Sequence, residues 1–387
     1  MKKKIAILGS TGSIGKTTFN IIKRNQKEFE LVLLTTNKNI KEISKQAREL
    51  KVKNILINSK THYLKFIKNS KNKKVNIYND FQSFSKKFKN KIDYTMCAIS
   101  GLAGLKPTLD LIRFSKKIAI ANKESIICGW NLIKKELTKN QTEFIPVDSE
   151  HFSIWSLLKG SNKLNVEHIF ITASGGPFLN LPINKFQNIN PFSAVKHPNW
   201  NMGKKISVDS ATLMNKVFEV IEAQRIFNID INKFKILIHP KSYVHAIIKF
   251  NNGLTKILIH DTDMRIPILN SIYDEKNFNS KSNKLNFDYL NNLNFNEVDT
   301  SKFSSIKILK LIPRKNSLYE TVMVTANDEL VHLFLDGKIN FLDIVKKLSM
   351  IMKLREFSKY RYINPKNFDQ IKNLSSYVRL KVNNLCI

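Results

Sequence analysis

The sequence predicts an α/β chain: a parallel α/β domain over residues 1–147, a central α+β domain over 148–273, a connection over 274–305 and a C-terminal helical domain over 306–387. Three observations predict it. Before residue 148, short apolar runs alternate with longer amphipathic stretches, the pattern of a parallel sheet covered by helices. From there to about Tyr273 strands and helices mix, and beyond Ser305 only helical spacing remains. The length of 387 residues fits two or three domains at roughly 150 residues each.

In chain order, the candidate strands of the first domain are 5–8, 31–34, 54–57, 75–78, 94–98, 118–121 and 143–147. Stretches between them, such as 40–50 and 105–113, carry apolar residues at helical spacing. The central domain reads as a helix after Ser149, a strand over 166–172, a Gly/Pro-rich loop, a long helix over 213–227 and strands around 235–260. The stretch 274–305 is rich in Asn, Ser and Lys and reads as a connection. Helices are expected over 320–335, 341–352 and from Pro365 to the end.

Lys and Arg total 64 against 31 Asp and Glu, a formal charge of +33, although the charged fraction of 25% is ordinary. A basic nucleic-acid binder would explain the sign. Lysine, asparagine and isoleucine are abundant throughout, however, including loops such as Asn291 to Asn296, so compositional drift explains it as well. With 42% hydrophobic residues the chain is too apolar for a disordered polycation. No apolar run approaches the roughly 18 residues of a membrane span. Cys97, Cys128 and Cys386 are too few and scattered for a disulfide framework, which fits a reducing, cytoplasmic setting. After Met1 to Lys4 the apolar stretch ends at Leu8, so no export or transit segment is expected.

The first strand runs into Gly9, Ser10, Thr11, Gly12, Ser13, Ile14 and Gly15, followed by a helix. Glycines at this junction let the backbone approach a pyrophosphate seated on the helix N-terminus. Strand before and helix after make it a Rossmann-like dinucleotide-binding arrangement. After the second strand stand Thr35, Thr36, Asn37, Lys38 and Asn39 with no carboxylate, which favours the 2′-phosphate of NADP over NAD.

Asp148, Ser149 and Glu150 follow the seventh strand. Two carboxylates one residue apart can converge on a hard cation, still short of a third ligand, or they can simply cap a helix. Further on, His197 to Lys205 (HPNWNMGKK) is a loop bearing Trp200, and Ser207 to Glu219 (SVDSATLMNKVFE) continues from it. Asn215 and Glu219 lie four apart and Lys216 and Glu219 three apart, so these groups share a helix face. That face is either one side of a cleft, with Ser210 and Thr212 adding hydroxyls, or a solvated stripe with an intrahelical ion pair. The small-residue loop Ser174, Gly175, Gly176, Pro177 favours an anion pocket.

This set of motifs resembles the 1-deoxy-D-xylulose 5-phosphate reductoisomerase family of the non-mevalonate isoprenoid pathway. The matching segments are GSTGSIG at Gly9–Gly15, ANKES at Ala121–Ser125, PVDSEH at Pro146–His151, SGGPF at Ser174–Phe178, the long block His197–Glu219, and Ile238–Ser242 with His245. Beyond Tyr273 the likeness is chiefly Thr325 to Leu330 and the helical tail.

The resemblance implies NADPH held by Thr11, Gly12, Ser13 and Ile14 at the pyrophosphate and by Asn37, Lys38 and Asn39 at the 2′-phosphate ribose. Asn122, Glu124 and Gly203 complete that site; Asn37 stands where the family often has Gly. It also implies Mg2+ or Mn2+ held by Asp148, Glu150 and Glu219, with catalytic roles for these three and Lys123. Lys123 and Ser149 would sit beside the substrate carbonyl and hydroxyl. Ser174, His197, Ser210, Asn215 and Lys216 would bind its phosphate, and the loop of about 197–205, with Trp200 and Met202, would act as a flap. The implied product is 2-C-methyl-D-erythritol 4-phosphate, made by a homodimer with no nucleic-acid or membrane partner. Another NADP-dependent sugar-phosphate reductase would share every feature except the long block. His239 and His245 are read as local hydrogen-bonding residues and left outside the site.

Overall fold

The structure, a computed structural model, describes residues 2–69, 75–200, 202–273 and 284–386. They form two compact units. The first comprises the described residues of 2–125, 132–148 and 264–273; the second comprises those of 126–131, 149–263 and 284–386.

The first unit holds seven strands: β1 (Lys3–Leu8), β2 (Phe29–Thr36), β3 (Asn54–Ile57), β4 (Asn76–Tyr78), β5 (Ile92–Cys97), β6 (Ser115–Ile120) and β7 (Glu143–Pro146). Their order is β4-β3-β2-β1-β5-β6-β7, every neighbouring pair parallel. All seven expected strands are present. A parallel sheet is covered on both faces, so its strands read as continuous aliphatic runs. In β1 all four residues Ile5 to Leu8 are fully buried, and each large aliphatic side chain contributes about 1.5–3 kcal/mol of transfer free energy. Strand order reverses between β1 and β5, which is where a doubly wound sheet opens a crevice at its carboxyl ends.

The helix Arg265–Tyr273, whose residues the sequence pattern assigns to the central domain with no helix expected there, packs on this first unit. Ile268 and Ile272, four apart on one face, are fully buried in the cluster that contains Ile5, Phe29 and Tyr94. Polar ties secure it: the Tyr94 hydroxyl meets Ser271 Oγ at 2.7 Å and Lys3 Nζ donates to the Ile272 carbonyl at 2.8 Å. Its destination was not legible in the sequence, because an apolar face fits any apolar partner.

The second unit is built on a five-stranded sheet of β8 (Val166–Ala173), β9 (Phe234–Ile238), β10 (Val244–Phe250), β11 (Thr255–Ile259) and β12 (Asn296–Glu297), ordered β11-β10-β8-β9-β12. Only β8 and β9 pair in parallel. The helices Ser149–Leu158 and Met214–Phe227 pack on it through Ile154, Leu158, Val220, Ala223 and Phe227. Part of the expected connection is structured. Residues 274–283 lie outside the described residues, but Phe287–Asn291 is helical and Asn296 pairs with Ile238. Two residues of strand carry no readable alternation, so only the tertiary pairing defines β12.

Helices Tyr319–Leu335, Phe341–Met352 and Phe368–Cys386 occur close to their expected positions and share one compact unit with the central segment. The buried pair of Arg225 and Glu320 ties the helix Met214–Phe227 to the start of the helix Tyr319–Leu335. Cys97 and Cys128 are buried, and burial pushes the Cys97 thiol up to about 12. Among the described residues no helix is long and apolar enough to cross a membrane.

Candidate active site

In the first unit the residues singled out lie on loops that follow the carboxyl ends of β1, β2, β6 and β7. Gly9 has φ +75°, a conformation that favours glycine, and a Cβ on Gly15 would stand 2.2 Å from the Gly9 carbonyl oxygen. These two glycines let the helix Ser13–Arg24 start directly against the strand end. Gly12, its N-cap, is exposed and provides no side-chain cap, and the first turn holds no acid. The helix start is therefore open to an anion, with Ser13 and Ile14 in its first turn. Thr11 Oγ1 lies 2.9 Å from Thr36 Oγ1, which ties this loop to the end of β2. Gly15→Ala places a methyl group against backbone, so we expect dinucleotide affinity to fall by about tenfold or more. A fluorescence titration with NADPH reads the effect.

Asn37, Lys38 and Asn39 are exposed, and Lys38 forms no ion pair among the described residues. Asn39 Oδ1 accepts the Glu42 N–H at 3.1 Å and so caps the next helix, leaving its amide group to face solvent. Asn122 is more committed. Its amide nitrogen donates to the carbonyls of Gly101 (2.6 Å) and Ile99, and its oxygen accepts the Ser125 N–H at 2.8 Å as cap of the helix Lys123–Asn140. Both amide hydrogens are engaged and the oxygen caps the helix, so this side chain joins the Ile99–Gly101 segment to the helix start. Glu124 stands half-buried in the first turn of that helix. Lys123 is buried, and its ammonium pairs with Asp148.

Ser149 and Glu150 open the helix Ser149–Leu158, whose first turn is buried although it is polar. Glu150 is 9% exposed and Glu219 is 1%. Buried carboxylates demand charge partners, and Lys216 supplies one to both: its Nζ lies 2.6 Å from Glu150 Oε1 and also contacts Glu219. Burial works against the Lys216 charge, but the two carboxylates more than offset it and hold its pKa above the ordinary lysine value. Asn215 Nδ2 donates to Glu219 Oε1, and Ser149 Oγ donates to Glu150 Oε2. The intrahelical Lys216–Glu219 pair is present, but it is buried and is not the solvated stripe that the sequence left open. Asp148, Glu150 and Glu219 each offer a carboxylate oxygen, all within 4.8 Å of one another. A donor set made only of oxygen suits a hard divalent cation, so these residues fit Mg2+ or Mn2+.

The long helix expected over 213–227 is present, and a separate shorter helix precedes it. Helix Lys204–Ala211 ends at Thr212, Leu213 adopts φ +59°, and a second helix runs Met214–Phe227. Thr212 is spent on this joint: its hydroxyl bonds the Val208 and Asp209 carbonyls and accepts the Met214 N–H. Ser210 is buried at the end of the first helix, while Asn215 and Lys216 start the second. Gly203 is the N-cap of the first helix and a Cβ there would meet nothing within 4 Å.

Ser174 Oγ and His197 Nε2 are 2.9 Å apart. His197 Nδ1 accepts the N–H groups of Asn199 (3.1 Å) and Trp200 (3.0 Å), so Nε2 carries the ring proton and donates to Ser174. Burial, helped by the Lys216 charge, lowers the His197 pKa to about 4. The unfolded chain therefore protonates this ring first, and the stability it contributes is full above about 6.5 and lost as pH falls toward 4. An NMR titration is expected to show the ring neutral at pH 6. Trp200 is half-buried, with its ring centroid 6.1 Å from that of His245. Met202 is half-buried, and Asn201 lies outside the described residues.

Sequence reasoning missed one polar cluster. Asp209, inside the long block, is 1% exposed, and it accepts from Asn327 Nδ2 at 2.8 Å while Lys205 Nζ lies 2.9 Å from both Asp209 and Asp328. This network fastens the helix that carries Ser210 to the helix Tyr319–Leu335. The signal available was the Thr325 to Leu330 segment, whose adjacent Asn327 and Asp328 are both buried in that helix.

Residues 5–129 match the 1-deoxy-D-xylulose 5-phosphate reductoisomerase family, 144–227 its C-terminal domain, and 259–381 a further DXP reductoisomerase C-terminal domain. A 1-deoxy-D-xylulose 5-phosphate reductoisomerase of Pelagibacter ubique (strain HTCC1062) is 56% identical over 387 residues, 100% of both chains. The Zymomonas mobilis enzyme solved in complex with NADPH superimposes with a TM-score of 0.88 at 32% identity, over 100% of this chain and 99% of that one. A DOX-P reductoisomerase solved with NADPH, fosmidomycin and magnesium gives 0.90 at 28% identity, over 98% and 97%. With three matched segments, end-to-end identity and this likeness of fold, the chain belongs to the 1-deoxy-D-xylulose 5-phosphate reductoisomerase family.

Proposed function

We propose that this chain converts 1-deoxy-D-xylulose 5-phosphate to 2-C-methyl-D-erythritol 4-phosphate, by carbon-skeleton rearrangement to a branched aldehyde followed by reduction. In this reading residues 1–147 bind NADPH, 148–273 carry the catalytic and substrate site, and 306–387 form a C-terminal helical domain. Bound Mg2+ or Mn2+ supplies Lewis acidity toward neighbouring substrate oxygens, and NADPH supplies the hydride.

The residues of the chain bind and orient. Thr11, Gly12, Ser13 and Ile14 take the pyrophosphate, Asn37, Lys38 and Asn39 the 2′-phosphate ribose, and Asn122, Glu124 and Gly203 the remainder of the cofactor. Asp148, Glu150 and Glu219 hold the metal. Lys123 and Ser149 present an ammonium and a hydroxyl to the reacting carbonyl and hydroxyl. Ser174, His197, Ser210, Asn215 and Lys216 grip the phosphate, His197 as a neutral Nε2–H donor. Trp200 and Met202 cover the substrate and exclude water. Phosphate binding remote from the reacting carbons is thereby used to hold them in place.

The observation that carries the reading is the convergence of Asp148, Glu150 and Glu219 within 4.8 Å. The Lys216 ammonium now balances two of these acids. In this reading a cation held by the three carboxylates would take over that charge balance, and the Lys216 ammonium would then be available to the substrate phosphate. We place the enzyme in the cytoplasm as a homodimer on family grounds. The test is NADPH oxidation followed at 340 nm with deoxyxylulose phosphate and Mg2+ or Mn2+ in parallel. Oxidation that needs both sugar phosphate and metal supports the reading; no oxidation with either metal overturns it.

A further inference from the structure

The loop that contains Trp200 is fastened at three places within the second unit. The His197 ring accepts two of its N–H groups, as described above. Asn199 Nδ2 donates to the Pro240 carbonyl at 2.6 Å and to Ser242 Oγ at 2.9 Å. The third place is the Trp200 ring itself, set edge to face against His245 at 6.1 Å and 67°. Behind His245 lies His260: the two rings stack at 3.8 Å with 19° between their planes. Both are buried, His245 at 1% and His260 at 8% exposure.

Hydrogen bonding does not account for the position of His260. Its Nδ1–H donates to the carbonyl of the next residue, Asp261, at 2.7 Å, and its buried Nε2 has no partner among the described residues. A buried unpaired nitrogen is unfavourable; what the side chain offers is an aromatic face. The backbone reinforces the stack, since His245 Nε2 donates to the His260 carbonyl at 3.3 Å. The burial that lowers the His260 pKa keeps the ring neutral near pH 7, the state that stacks without charge repulsion. Trp200, His245 and His260 thus form a three-ring column running from the loop to the end of β11.

We infer that His260 is a positioning residue for substrate binding: its ring fixes the His245 face against which Trp200 settles when the loop covers the sugar phosphate. This rests on the proposed role of the 197–205 loop. It predicts an effect on substrate affinity that travels through Trp200 and leaves the dinucleotide side unaffected.

The experiment compares His260→Phe, which keeps an aromatic face and removes the unpaired nitrogen, with His260→Leu, which fills similar space without one. Turnover of deoxyxylulose phosphate by the unaltered chain is measured first, so a failure of the proposed function shows there and not in the variants. The expected result is a KM for deoxyxylulose phosphate raised about fivefold to twentyfold in His260→Leu, with kcat and the NADPH KM within about twofold. His260→Phe stays within about twofold of the unaltered chain. In a Trp200→Ala background, His260→Leu adds no more than about twofold, because the column is already cut. Equal substrate KM in the Leu and Phe variants overturns the inference. So does a His260→Leu effect that persists undiminished without Trp200, or one that falls equally on the NADPH KM. If His260→Leu fails to fold, His260→Asn takes its place under the same criteria.

Discussion

Glu219→Gln is expected to lower metal-dependent turnover by about a thousandfold, equivalent to about 4 kcal/mol in the barrier. The substitution keeps the shape and removes one of three charges from the convergent acids. It also leaves the buried Lys216 ammonium balanced by Glu150 alone, so the amide disturbs metal and phosphate binding together. NADPH affinity stays within about twofold, because the open helix start after Gly12 lies in the other compact unit. Steady-state NADPH oxidation at rising Mn2+ and a separate NADPH titration check this. Undiminished turnover would remove Glu219 from the ligand set.

The second large effect is on stability. Glu320 is fully buried and bonded to Arg225, to the Ser317 hydroxyl at 2.5 Å and to the Ser317 N–H at 3.1 Å. Arg225 in turn donates to the carbonyls of Arg314 at 2.6 Å and Pro313 at 3.1 Å. Burial raises the Glu320 pKa against the pull of Arg225. Glu320→Gln leaves a buried guanidinium without its counter-charge, which costs about 3–5 kcal/mol. Replacing both partners together, Arg225→Met with Glu320→Leu, is expected to recover most of that loss, because no uncompensated charge remains. Urea unfolding of the three forms, compared at constant m-value, decides it.

How much the sequence revealed depended on the range of the interaction that defines each feature. The seven parallel strands were legible because runs such as Ile5 to Leu8 are buried on both faces and leave a local signature. Asp148 and Glu150 were legible as a pair for the same reason, being one residue apart. Glu219 reached them only through family likeness, since the bend that brings its helix to Glu150 is tertiary. The long helix was legible from about Leu213 onward, but the separate helix Lys204–Ala211 before it and the φ of +59° at Leu213 were not, because the bonds at that joint include a distant one, Ser305 Oγ donating to the Thr212 carbonyl at 2.5 Å. The His245 and His260 stack was hidden because fifteen positions of hairpin separate the two rings. The +33 charge narrowed in meaning: the proposed site uses Lys38, Lys123 and Lys216, and most other lysines lie outside every motif.

Ribosomal synthesis delivers Asp148 well before Met264. At about 5–20 residues per second the gap is roughly 6 to 23 seconds, during which the first sheet has emerged without Ile268, Ile272 or the Ser271 hydroxyl that meets Tyr94. The nascent sheet therefore waits with an apolar face unfilled while the second unit is being made, and it closes only when the chain returns to it. A chain released before residue 264 carries the complete glycine loop on a core that lacks its last helix.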